Sequence, residues 1–308
     1  MKSIRYRISE VVTYIEILLE KQFILEEPIE KNELELKSLA SIACLSSYHF
    51  QRCFTSLLEL SPFEFIQLLR FKWSASKLLY RSEISITDIA FLCGFESAEG
   101  FSRAFKKKFM QSPRTFRQSP DLNSWEILNQ TINRIRSKLM NQNSDILDNC
   151  LDKRPTVEVV MIEKVRVGVL KHEGSPAQIP LTLRKFIQWR KENKLSPKIS
   201  RTFNLMYSDP RTTADSEFRM DLCAQIKSEL KENLQGIVES TIPSMRCARV
   251  DFRGRDSDMA SVIDYLYRDW LDTVDELPGE YPLIIERVSF YPDVAEKDAF
   301  SKIYLPLK

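Results

Sequence analysis

Histidine and glycine are scarce in this 308-residue chain, with two and seven copies respectively, and both shortages exclude something. His49 falls in a polar helical stretch and His172 in a turn-like one, so no metal cluster and no Ser/His/Asp set can be assembled. No catalytic residue, metal ligand or cofactor is assigned. The six cysteines, Cys44, Cys53, Cys93, Cys150, Cys223 and Cys247, form no CxxC pair and no zinc-like spacing, which predicts reduced, buried thiols. The opening MKSIRYRISE lacks an apolar signal core, and no run approaches the roughly 18 apolar residues of a spanning helix. The expectation is a cytoplasmic protein with no membrane partner.

Only Gly94 and Gly100 precede residue 150. With Ile8, Val11, Val12, Ile15, Leu18 and Leu19 at helical spacing, the first third reads as all helix. The formal net charge is +2, but it is unevenly placed. Residues 42–118 hold 11 Lys+Arg against 6 Asp+Glu, which leaves 34 (45 − 11) against 37 (43 − 6) elsewhere. A basic segment joined to a near-neutral larger one suits a nucleic-acid module attached to another domain.

That basic segment repeats itself. Leu39-Ala40, Ser47, Phe50, Arg52, Phe54, Ser61-Pro62 and Phe65 recur as Ile89-Ala90, Ser97, Phe101, Arg103, Phe105, Ser112-Pro113 and Phe116. The alanines are one residue closer than the later pairs, which places a single-residue indel in the turn. Two helix-turn-helix modules are implied, and their second helices are of the kind that enter major grooves. Phe63, Ile66, Leu69, Leu78 and Leu79 mark a long connecting helix opened by Pro62. A connector holding the two readers about 34 Å apart would let one chain span two successive grooves.

From Ile8 to Gln118 the order of residues resembles the DNA-binding domain of AraC/XylS-type transcription regulators, through "SSYHFQRCF", "SPFEFIQLLRFKWSASKLL" and "ITDIAFLCGFESAEGFSRAFKKKFMQSPRTFR". The resemblance implies promoter DNA as partner and contact with RNA polymerase. It places Tyr48, Gln51 and Arg52 on the groove-facing side of the first reader, at i, i+3, i+4 spacing. Glutamine can pair with adenine, and arginine with guanine or phosphate. The second face, Ala98, Glu99, Ser102 and Arg103 with Lys106, Lys107 and Lys108, is poorer in base-reading groups and suits backbone grip. Phe50 and Phe54 are assigned to the core. The family usually has helix-capping glycines where this chain has Glu59 and Gln111.

Residues 119–155 read as a helical linker carrying Trp125, Leu128, Ile132, Ile135 and Leu139. Beyond it the apolar period becomes two, in "TVEVVMIEKVRVGVL", "SMRCARVDF", "YPLIIERVSF" and "SKIYLPL". Helix-like stretches lie near Leu181 to Asn193 and Asp256 to Trp270. Residues 156–308 resemble the GyrI-like effector-binding domain through "VGVLKHEGSP", "YSDPRTTADSEFRMDLC", "PLIIERVSFYPD" and "KIYLPLK". The expected fold is therefore multidomain: an all-α double helix-turn-helix domain (1–118), then an α+β domain of two β-α-β-β halves about a pseudo-twofold axis.

Strand alternation puts Glu286 on one face with Ile284, Val288 and Phe290. A carboxylate in an apolar row must be paired, protonated or met by a ligand. The resemblance implies that Glu286 lies in a ligand cleft and that a small cationic, amphipathic effector meets it; the competing assignment is a structural salt bridge. Trp189, Tyr207, Tyr265, Trp270 and Tyr281 are candidate cleft aromatics for cation-π contact. The expected function is a transcription regulator with an effector-binding second domain. The alternatives are an activator whose second domain makes protein contact or sequesters a partner, and a hydrolase of a reactive electrophile using Glu286 with a tyrosine.

Overall fold

The computed structural model describes residues 3–27, 29–30, 32–140, 155–291 and 293–308. Cys150 and the predicted loose end of the linker lie outside the described residues. The chain divides into two compact units, Met1–Lys153 and Arg154–Lys308.

The first unit is helical: α1 (Ile4–Glu20, continued by a widened turn), α2 (Leu36–Ile42), α3 (Ser47–Leu58), α4 (Pro62–Tyr80), α5 (Ile86–Leu92), α6 (Ala98–Phe109), α7 (Pro113–Gln118) and α8 (Leu122–Met140). The repeat is visible residue by residue. α2 and α5 have seven residues each, and α3 and α6 twelve. The turn between α2 and α3 is one residue shorter than that between α5 and α6, so the indel falls in the turn. The N-caps are Ser46, whose side chain accepts from the His49 amide, and Ser97, which accepts from the Gly100 amide. Ser46, not Ser47, is thus the structural partner of Ser97. Ser61 and Glu64 form a capping box at the start of α4, with Pro62 in its first turn.

Each reader helix ends in a left-handed residue, Glu59 (φ 63°) and Met110 (φ 55°). The second capping position is therefore Met110, one residue before the expected Gln111. Gln111 instead bridges the following segment, donating to the Ser119 carbonyl at 3.1 Å and accepting from the Asp121 amide at 2.8 Å. In the second turn, Gly94 has φ +73°, a left-handed conformation that glycine adopts without strain; Cys44 holds the matching position of the first turn at φ 52°.

Phenylalanines build the core of this unit. Phe50, Phe54 and Phe65 form one chain of ring contacts, and Phe101, Phe105, Phe109 and Phe116 another, with Phe105 and Phe109 stacked at 4.3 Å. Phe63, expected along the apolar stripe of the connector, is 68 % exposed. α8, expected as a linker, buries Trp125, Leu128, Ile132, Ile135 and Leu139 and belongs to the helical unit. Cys93, Cys223 and Cys247 are buried and Cys53 is half-buried, but Cys44 is exposed at a turn with φ 52°, correcting the expectation of uniformly buried thiols.

The second unit is one antiparallel sheet of eight strands in the order β1-β6-β8-β7-β3-β4-β2-β5. The strands are β1 (Val157–Ile162), β2 (Val165–Glu173), β3 (Thr202–Met206), β4 (Arg219–Gln225), β5 (Val238–Ile242), β6 (Met245–Arg253), β7 (Leu283–Ser289) and β8 (Phe300–Pro306). α9 (Ile179–Glu192) follows β2, and α10 (Asp256–Tyr265), prolonged by a widened turn into α11 (Leu271–Val274), follows β6. The expected pseudo-twofold is present: β2 and β6 have nine residues, β4 and β8 seven, and a three-residue 3-10 turn precedes each last strand. Each half also has a leading strand that is exchanged. β1 pairs with β6 of the second half, and β5 with β2 of the first. β3 and β7 join the halves at the centre.

The helices cover one face of the sheet. Under α9, Leu170, Phe186, Trp189, Phe218 and Leu222 pack together; under α10 and α11, Val250, Leu266, Trp270, Ile285 and Ile303 do so. At Gly168 a Cβ would come within 2.6 Å of the Trp189 ring, which sets how closely α9 seats on the sheet. The opposite face has its own apolar layer, Val167, Phe203, Leu205, Cys223, Ile284 and Tyr304 among it. No helix among the described residues is long and apolar enough to cross a membrane.

Candidate functional site

In α3 the buried Phe50, Phe54 and Leu58 turn Tyr48, Gln51 and Arg52 outward, and all three are exposed. Arg52 Nη1 donates to the Tyr48 hydroxyl at 3.1 Å, and its guanidinium carbon lies 5.7 Å from that ring. This contact one turn apart stretches both side chains along the same face. In α6 the buried Phe101, Phe105 and Phe109 fix the opposite strip, where Glu99, Arg103, Lys106 and Lys107 are exposed and Ser102 is half-buried. The first face offers an amide, a phenol and a guanidinium; the second offers three cations, a hydroxyl and an acid.

On the helix-free face of the sheet, strand register brings acidic and aromatic groups together. Phe203 stands opposite both Glu286 and Cys223, and Leu205 opposite both Ile284 and Asp221; directly paired residues share a face. Ile284 in turn stands opposite Tyr304. Glu286 and Asp221, 7 % and 4 % exposed, therefore look out of the same apolar surface. Two strand spacings and one pleat repeat separate them, about 12 Å.

Glu286 is fully engaged. Arg201 donates through Nε to Oε1 at 2.7 Å and through Nη2 to Oε2 at 2.9 Å, while the Tyr304 hydroxyl donates to Oε2 at 2.9 Å. The Arg201 guanidinium also lies 4.8 Å from the Phe203 ring. Burial alone would raise the Glu286 carboxyl, but the Arg201 pair and the Tyr304 hydroxyl outweigh it and hold it below the ordinary glutamate range. The salt-bridge assignment thus describes Glu286 as it stands. Its row is also shorter than expected, because a register irregularity between Arg287 and Ser289 breaks the alternation and Phe290 lies beyond the strand.

Asp221 is much less engaged. The Tyr207 hydroxyl donates to Oδ2 at 3.0 Å, and Arg219 Nη2 stays 3.8 Å away. Oδ1 is buried and has no hydrogen-bond partner among the described residues. Burial raises the Asp221 carboxyl, with Tyr207 and Arg219 offsetting only part of the effect. The Tyr207 hydroxyl is pushed up to about 12, first by its own burial and then by Asp221.

Of the candidate aromatics, Tyr207 and Tyr281 belong to this acid-bearing face. Tyr281 packs on its apolar layer, and burial raises its hydroxyl, followed by Tyr207, Cys223 and Asp221. Trp189, Trp270 and Tyr265 do not belong here. Trp189, on α9, and Trp270, on the widened turn between α10 and α11, point into the core between helices and sheet, and Tyr265 packs against the same core as Trp270. Helical periodicity turned all three toward the helix-covered face, so they cannot line the surface around Glu286. Sequence reading missed Arg201, Asp221, Arg219 and Tyr304. Asp221 and Tyr304 were detectable as polar breaks in apolar alternation, whereas Arg201 precedes its strand and is placed only by the pairing of β3 with β7.

Family comparison agrees with both units. A helix-turn-helix domain matches residues 39–119, and the GyrI-like small molecule binding domain matches residues 155–308. The probable transcriptional regulator YgiV of Escherichia coli (strain K12) is 29 % identical over 152 residues, 49 % of this chain and 95 % of that protein. The probable transcription factor PqrA of Proteus vulgaris is 33 % identical over 96 residues, 31 % of this chain and 78 % of PqrA. A cryo-EM structure of an EcmrR-DNA complex covers 83 % of this chain and 97 % of its own, at 11 % identity and a TM-score of 0.43. The chain belongs to the AraC-type helix-turn-helix regulators with a C-terminal GyrI-like domain: it is a DNA-binding transcription regulator carrying a small-molecule binding domain.

Proposed function

We propose that α3 reads promoter sequence through Gln51 and Arg52 with Tyr48, that α6 grips phosphates through Arg103, Lys106 and Lys107, and that the second domain binds a small amphipathic cation. The observation that carries the effector class is the pairing of two buried carboxylates, Glu286 and Asp221, with an apolar and phenolic face. Such a face gives a hydrophobic cation both dispersion contact and charge. The ligand acts on DNA binding only to the extent that it prefers one of two conformations, typically by about 1 to 3 kcal/mol.

A second reading has its own support. Because Arg201 already neutralises Glu286, the face is partly self-satisfied, as suits a domain that meets a protein instead of a small molecule. The hydrolase alternative is disfavoured, since a carboxylate held below its ordinary range by a bidentate guanidinium is a weak base. The test is fluorescence anisotropy of labelled promoter duplex with the full chain across a salt series, with and without tetraphenylphosphonium. Steep salt dependence with a several-fold ligand shift supports the effector reading. The same DNA binding unmoved by any hydrophobic cation supports protein contact.

A further inference from the structure

Resting on the reading of the second domain as a cation-binding one, we infer that Asp221, and not Glu286, is the carboxylate that receives the ligand's positive group, with Tyr207 and Arg219 as the covering pair that moves aside. The two acids share a face but differ in what an incoming cation must displace. At Glu286 it must break two charge-assisted bonds from Arg201 and one from Tyr304, and it then leaves the Arg201 guanidinium without its partner. At Asp221 it displaces one phenol bond and the looser Arg219 ion pair at 3.8 Å, and meets an oxygen with no hydrogen-bond partner among the described residues. A buried carboxylate oxygen left unsatisfied is a costly state, and a positive charge brought close to it in a low-dielectric surface offsets that cost. The exchange therefore favours Asp221.

The surroundings permit access. Tyr207 is 42 % exposed and the Arg219 side chain 38 %, so the groups covering Asp221 are surface groups. The Arg219 guanidinium carbon lies 4.1 Å from the centre of the Tyr207 ring. A ligand cation taking the same place over that ring would exchange one cation-π contact for another. Lys171 stands directly across the strand pair from Asp221, and Glu173 also faces it. Tyr281 and Cys223 complete the charged and titratable surroundings. Arg201 is, in this arrangement, the fixed counter-ion of Glu286.

The experiment is calorimetric titration of the full chain with tetraphenylphosphonium, using the anion tetraphenylborate as the charge control. Wild type should bind the cation and discriminate against the borate. Asp221→Asn should weaken cation binding roughly tenfold or more, the size of one lost close contact between opposite charges, while Glu286→Gln should weaken it by less than about threefold on the same scale. The reverse order of the two variants overturns the inference and leaves the cation reading standing. Failure of wild type to bind the cation, or equal binding of the borate, overturns both.

A pH series on wild type provides an arm that needs no folded variant. As pH is lowered, affinity should begin to fall while still above the ordinary aspartate value, because the raised Asp221 carboxyl takes up its proton there. A fall confined to pH below the ordinary glutamate value would assign the charge to Glu286 instead. Glu173→Gln should leave that profile in place, and a profile that moves with Glu173 overturns the assignment.

Discussion

Arg201 and Glu286 are 85 residues apart in the chain and meet fork to fork, Nε on one carboxylate oxygen and Nη2 on the other. The pair joins the strands on either side of the seam between the two halves of the sheet. Arg201→Ala removes the larger part of the compensation for a carboxylate that stays buried. Because the arginine side chain is 43 % exposed, water can replace part of what is lost, and the expected cost is about 1 to 3 kcal/mol, read as a lower urea midpoint.

The two acids should respond to pH with opposite signs. Glu286 has a folded value below its unfolded one, so its contribution is present above about pH 4.3, the ordinary glutamate value, and is lost as pH falls through the folded value. Glu286→Gln should therefore destabilise at neutral pH, with the gap to wild type closing in acid. Asp221 is raised by burial, so its ionised form weakens the fold. Asp221→Asn should stabilise at neutral pH, and that gain should vanish as pH falls through the raised value. Urea midpoints of the three proteins between pH 3 and 8, a window of about five units around the carboxylate values, check both signs.

The reader helices should separate by kind of effect. Gln51→Ala or Arg52→Ala should cost about 1 to 3 kcal/mol on the preferred duplex and relax discrimination between sequences. Lys106→Ala or Lys107→Ala should weaken all duplexes alike and lower the salt slope by about 1 each. Anisotropy on a preferred and a scrambled duplex at several salt concentrations checks this. Unchanged discrimination in Arg52→Ala would remove α3 as the reader.

Gly168→Ala should be costly although it adds one methyl group. That methyl would lie 2.6 Å from Trp189 and 3.1 Å from Ile237, both buried, so α9 must shift off the sheet. The expected loss is about 1 to 3 kcal/mol, visible as a lower unfolding midpoint with the DNA affinity of the helical unit retained.

Residue order was enough to place the duplicated helical module, the change of period from helix to strand, the seat of the turn indel and the outward Tyr48, Gln51 and Arg52. These are local consequences: a 3.6 or 2.0 repeat of apolar residues, a serine cap or a Ser-Pro start needs only near neighbours in the chain. The second capping position is Met110, which stands at the same spacing from Glu59 (110 − 59 = 51) as Phe101 from Phe50 (101 − 50 = 51), so the repeat itself carries it. Tertiary structure alone decided the neighbours of Glu286 and Asp221. Alternation told which residues share a face within a strand, but not that β3 joins β7, that a leading strand crosses to the other half, or that α9 and α10 cover the face away from both acids. Those depend on contacts across the whole length of the domain. They sent Trp189 and Trp270 into the core and Tyr265 against it, supplied Glu286 with Arg201, and left one Asp221 oxygen without a hydrogen-bond partner among the described residues.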